Sequence, residues 1–285
     1  MSDVTTFPLA ARATIHSFVD RAEFWLGAPG HKRAHFWEVD DPQRPYATTA
    51  PEVVEFTQAN CLAVTAGSNS ELLNEFTSKL NADCEKSKTA PQEAMQLARS
   101  LSEYLVWIDH LFFFGIITRP TRSQGDLRAA RPLIALRFIE GVRDDSGNEL
   151  EGAFVETTGD LTINMLKQNR TNGIDNYADK FQPFEKALCV VVHELVHVYL
   201  YILTRDSSAS NYHRHIHQGE GHGVQFYELL QFILTKLFQW APSMAYLGDL
   251  AAETRESLHV ALESPFLSDA AAIALMRTKP MYELK

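Results

Sequence analysis

The chain has 285 residues, 45% of them apolar, which is enough for a sizeable core in one large domain or two small ones. Twenty-six basic residues against 36 acidic ones leave a net charge of -10, which excludes a global attraction to nucleic acid or anionic membrane and leaves only local patches to consider. Three scattered cysteines, Cys61, Cys84 and Cys189, with no C-x-x-C spacing, exclude a disulfide framework and a zinc ribbon.

In chain order, the opening MSDVTTFPLAARATIHSFVD has no apolar run of signal-peptide kind, so an intracellular setting, cytoplasmic or nuclear, is expected. On that expectation the sequon form at Asn169, Arg170 and Thr171 carries no meaning. Residues 1–69 offer only short helical hints, such as Ala11–Leu26, broken by Gly27, Pro29 and Gly30 and followed by a Pro-rich passage from Asp41 to Pro51. Trp25, Phe36 and Trp37 read as core residues, and His31 and His35 as surface ones, since no acid stands between the two histidines and they follow a Pro-Gly break.

From Ser70 to Cys84, Leu72, Leu73, Phe76 and Leu80 mark an amphipathic helix. A second helix is predicted from Pro91 through Leu101, Tyr104 and Ile108 to Phe114, ended by Gly115. Arg119, Arg122, Arg128, Arg131 and Arg137 then face a single acid, Asp126, a local charge of +4 that reads as a solvated basic loop, with an anion-binding patch as the alternative. Between Pro132 and Leu166 the period shortens to that of strands: Leu133–Ile139, then a turn at Asp144–Asn148, Gly152–Glu156, and Leu161–Met165 after Gly159 and Asp160. A small, mostly antiparallel sheet is expected, and an open groove along Leu161–Leu166 would suit an extended peptide bound by strand addition.

Pro183 opens the stretch that organises the chain, an apolar run from Ala187 to Leu203 carrying H-E-x-x-H as His193, Glu194 and His197. Four residues make about one helical turn, so the two histidines share a face and can hold one metal ion, while Glu194 is rotated off that line toward a water. A buried helix with two backbone-bonded histidines is the bland alternative, but so apolar a helix would owe each polar group a partner. A membrane span is excluded, because the run is short of about 20 residues and has ionisable groups at its centre.

A third ligand is needed, and Leu200 and Leu203 stand where a metzincin would place Gly and His, so that family is out. His222, flanked by Gly221 and Gly223 at the threshold of an apolar helix from Phe226 to Leu237, is the best candidate. The rivals are His213, His215 and His217 in the polar loop Asp206–Gln218, with Glu220 and Glu228. The Gly-rich text is not a phosphate loop, lacking a Lys-Ser/Thr pair after it and a strand before it.

HELVHVYLYILTRD followed by GEGHGVQF resembles the SprT-like zinc metalloprotease family, the Spartan-related proteases, whose motif is H-E-x-x-H, a loop, then G-H-G-x-x-F. The aromatic helix end Leu105–Gly115 and the strand Leu161–Leu166 resemble the family more weakly, so the likeness covers roughly residues 98–240. It implies an α+β fold with a zincin-like core, Zn2+ held by His193, His197 and His222, and Glu194 as general base in peptide hydrolysis. Residues 1–97 and 241–285 are then largely helical extensions outside the likeness. Tyr177, Tyr212 and His217 are candidates for stabilising the oxyanion.

A polypeptide or a small amide-type molecule is the expected substrate class. The alternatives are a zinc enzyme of the same fold acting on a small molecule and a non-catalytic, zinc-stabilised scaffold. Tight nucleic-acid binding is not expected, since no run interleaves aromatic with basic residues.

Overall fold

A computed structural model describes residues 50–66, 70–89, 94–115, 117–118, 120–121, 131–132, 134–139, 142–143, 147, 149–155, 160–165, 183–203 and 222–263. Several expectations fall outside these residues: Ala11–Leu26, Trp25, Phe36 and Trp37, His31 and His35, Pro91, Arg119, Arg122 and Arg128, the sequon, and the 206–218 loop.

The H-E-x-x-H stretch is a helix, Phe184–Leu203, here called α5, and the other described elements are arranged around it. Its residues Ala187 to Val192, Leu195, Val196 and Val198 to Leu200 are all buried, which explains why its sequence shows little amphipathic stripe. Earlier in the chain come α1 (Ala50–Asn60), α2 (Leu62–Thr65), α3 (Glu71–Thr89) and α4 (Ala94–Phe112). α1 buries Ala50, Val53, Val54 and Thr57, and α3 buries Leu72, Phe76, Leu80 and Cys84 at four-residue intervals; both helices pack on α5. Each fully buried Leu or Phe of this kind contributes about 1.5–3 kcal/mol relative to exposure. Thr57 Oγ1 lies 2.9 Å from Tyr199 Oη, pinning α1 to the C-terminal half of α5.

The second predicted helix appears as α4, and its stop is where the sequence places it, within two residues. Phe114 (φ 59°) and Gly115 (φ 67°) are left-handed, and the Gly115 N–H donates to Asp109 O at 3.0 Å across the helix end. Gly115 suits this position because a side chain there would meet the His110 ring at 3.0 Å.

Seven short strands follow among the described residues: β1 (Pro120–Thr121), β2 (Arg131–Pro132), β3 (Ala135–Ile139), β4 (Val142–Arg143), β5 (Glu149–Leu150), β6 (Gly152–Val155) and β7 (Asp160–Asn164). β1–β2 and β4–β5 form separate antiparallel pairs. The three-stranded sheet has the order β3-β7-β6 and is mixed, with β3 parallel to β7 (Leu136 beside Leu161) and β6 antiparallel to it (Gly152 beside Ile163). An open groove along Leu161–Leu166 is the feature that would favour a peptide substrate; over Asp160–Asn164 no open strand edge exists, because β7 is the central strand and has both edges paired. Its alternation of Leu161, Thr162, Ile163 and Asn164 reads as half-buried, yet all four side chains are buried. Among the described residues, the strand that meets α5 closely and is paired on one edge only in this sheet is β6.

After α5, α6 (Val224–Trp240) and α7 (Ala245–Glu263) form a helical hairpin through the turn at Ala241–Met244. Phe76 of α3, Leu105 of α4, Val192 of α5 and Leu247 of α7 belong to one core cluster, so helices from all three sequence regions, 1–97, 98–240 and 241–285, share one interior. The architecture is a mixed one of helices and a small sheet, of α+β kind. No described helix is long and apolar enough to cross a membrane.

Candidate metal centre

Within α5 the four-residue spacing places His193 and His197 one turn apart on one face, with their Nε2 atoms 3.3 Å from each other. His222 comes from the segment entering α6, whose N-cap Gly223 is extended and accepts from the Tyr227 N–H at 3.2 Å. From there His222 Nε2 lies 3.1 Å from that of His197 and 3.0 Å from that of His193. The three histidines are the group among the described residues that lies close enough to bind a metal ion.

The triangle is incomplete as a hydrogen-bond network. Each Nε2 is either a donor or an acceptor, and three mutually adjacent atoms cannot be assigned two roles so that every pair is complementary. A cation at the centre accepts all three lone pairs at once. Nitrogens sharing one tetrahedral metal ion at imidazole bond lengths of 2.0–2.1 Å stand about 3.3 Å apart, close to the observed separations. The residues present therefore fit a metal ion.

The electrostatics agree with ligand chemistry. Burial pushes the His222 imidazole down to about 4, and burial, followed by the charge of His222, holds His193 well below the usual histidine range. Both rings are thus neutral near pH 7, the form that binds metal. Phe226, in the first turn of α6, packs against all three rings, stacked on His197 at 4.3 Å, tilted on His222 at 4.6 Å and edge-on to His193 at 4.9 Å. Sequence reading placed Phe226 in the core stripe; its position four residues after His222 was the signal that it also holds the ligand rings in place.

Glu194 is buried, 6% exposed, and burial alone pushes its carboxyl up to about 8. Of the rival ligands, Glu228 lies on α6 outside the three-histidine group, with its carboxyl raised by burial, while His213, His215, His217 and Glu220 lie outside the described residues. Tyr177 and Tyr212 also lie outside them. Of the arginine cluster, Arg137 is engaged, its Nη2 3.0 Å from Asp160 Oδ1 across the β3–β7 pair.

No protein-family model, curated protein or solved structure matches this chain.

Proposed function

We propose that the chain is a zinc-dependent metallopeptidase of SprT-like type, with a zincin-like core, His193, His197 and His222 as the ligands of Zn2+ and Glu194 as general base. The observation that carries this reading is the convergence of three imidazole Nε2 atoms within 3.3 Å, next in sequence to a buried carboxylate on the same helix. Three neutral nitrogens leave one position of a tetrahedral ion open, the arrangement of catalytic rather than structural zinc. When bound, zinc supplies Lewis acidity that polarises a carbonyl and makes water a usable nucleophile near neutral pH.

The chain's own residues supply the proton transfers. Glu194 takes the proton from water and delivers it to the leaving amine; burial raises its carboxyl to about 8 in the metal-free protein, and the charge of a bound cation would favour the ionised, proton-accepting form. Phe226 limits rotation of the ligand rings, and the apolar packing of α5 excludes bulk water from one side of the site. β6, the edge strand beside α5, offers backbone groups to an extended polypeptide or small amide-type substrate. Tight binding of nucleic acid is no part of the proposal: the net charge is -10, and Arg137 is already paired with Asp160.

The test is Glu194→Gln, which keeps the shape of the side chain and removes the proton acceptor. Zinc content should stay within a few per cent of wild type while turnover of an unfolded protein substrate falls by about 100- to 10,000-fold. Equal turnover would mean that this site is not the hydrolytic centre.

A further inference from the structure

We infer that Gly152 is a positioning residue for Glu194: its missing side chain lets strand β6 close on α5 and fixes where the Glu194 carboxylate stands. The inference rests on the reading of Glu194 as general base. A Cβ at position 152 would lie 2.8 Å from Glu194 Oε1, 2.9 Å from Glu194 Cγ and 2.8 Å from Val190 Cγ1. Contacts this short are not sustained, so a residue with a side chain here must displace the carboxylate, the valine or the strand.

The strand cannot easily retreat, because the residues on either side of the contact are tied down. Lys186, Val190 and Glu194 are four residues apart and form one stripe of α5. At the upstream end of that stripe, Lys186 Nζ lies 2.5 Å from Glu151 Oε1, with both side chains largely buried. From the other side, Asn164 of β7 donates its backbone N–H to Glu151 O at 2.8 Å and its side-chain amide to Leu150 O at 2.9 Å. Residues 150 and 151 are thereby held to both the helix and the central strand, and Gly152 pairs with Ile163 in the sheet.

Backbone conformation gives no reason for a glycine at this position. The left-handed glycines among the described residues are Gly115 and Gly147, so Gly152 has dihedrals open to alanine. At such a site an alanine is expected to stabilise the fold by restricting the unfolded chain. The close contact predicts the opposite sign, and the sign separates the two accounts. Glycine inside a strand commonly marks a place where another group approaches the backbone closely, and here that group is Glu194.

The experiment is a thermal-unfolding cycle on the full chain, metal-free and zinc-loaded, using Gly152→Ala alone and in Glu194→Ala and Val190→Ala backgrounds. Gly152→Ala is expected to lower Tm by several degrees in the wild-type background and by less than half as much in the Glu194→Ala background, since neighbours in contact are non-additive. Zinc stoichiometry should be unchanged. In turnover assays kcat should fall at least tenfold with KM within about threefold, the split expected when a reacting group is misplaced and substrate contacts persist. If the single variant does not fold, recovery of folding by Glu194→Ala supports the inference and recovery by Val190→Ala alone overturns it. A Tm that rises, or a loss equal in all backgrounds, also overturns it. A wild type that binds zinc and cleaves nothing would sink the peptidase reading, while the unfolding cycle would still decide the role of Gly152.

Discussion

Two buried carboxylates on neighbouring helices, Asp109 of α4 and Glu194 of α5, meet opposite fates. Asp109 is fully buried and accepts three hydrogen bonds, from the Ile117 N–H at 3.1 Å and from the Thr118 N–H and Oγ1–H at 2.7 Å each. It closes the chain reversal after α4, and its charge is spent on that turn. Glu194 is nearly as buried, yet burial dominates its chemistry and raises its carboxyl to about 8. A buried polar group with several hydrogen-bond partners belongs to the fold, whereas one on the ligand-bearing helix with no hydrogen-bond partner among the described residues is available to a ligand.

The contrast is sharpest when both acids are removed. Asp109→Ala strands two backbone N–H groups in the interior and should cost on the order of 3–5 kcal/mol of stability. Zinc content of the protein that remains folded should not change. Glu194→Ala should instead leave stability near wild type or raise it, and abolish turnover. Chemical unfolding of the two variants, with metal content measured alongside, checks the pair; a large stability loss in Glu194→Ala would erase the distinction.

A smaller effect is expected from pH in the metal-free protein. The Glu194 carboxyl is raised from 4.5 to about 8 in the folded state, so its contribution is fully present below pH 4.5 and is lost as pH rises through about 8. His222 is lowered from 6.5 to about 4, so its contribution is present above pH 6.5 and is lost as pH falls through about 4. Stability should therefore fall off on both sides. Glu194→Gln should remove only the alkaline loss, a difference of at most about 5 kcal/mol near pH 9. Unfolding curves for both proteins from pH 4 to 9 test this, and an alkaline loss that persists in the variant would assign it to another group.

The parts of this arrangement that were legible in the sequence depend on short-range chemistry. His193, Glu194 and His197 are readable because one helical turn sets their relation, and His222 because glycines flank it just before an apolar run. The strands were readable as elements, but their order was not: Thr162 and Asn164 look solvent-facing, and the sequence alone does not show that Asn164 turns inward to hold Leu150 and Glu151. α1 is hard to see in the sequence because Phe56 is exposed on it while Thr57 is buried, which blurs the apolar stripe. The contact of Gly152 with α5 has no signature in the sequence either. In the sequence Gly152 reads only as the first residue of a strand, and its meaning comes from a helix about 40 residues away in the chain.

The account stands or falls on the histidine triangle, and the most direct measurement is metal stoichiometry by elemental analysis of wild type, His222→Ala and His215→Ala after equilibration with zinc. The account predicts one zinc per chain in wild type and in His215→Ala, and loss of most of it in His222→Ala. Zinc that survives the loss of His222 and disappears with His215 would contradict it, and would move the third ligand into the loop between α5 and α6.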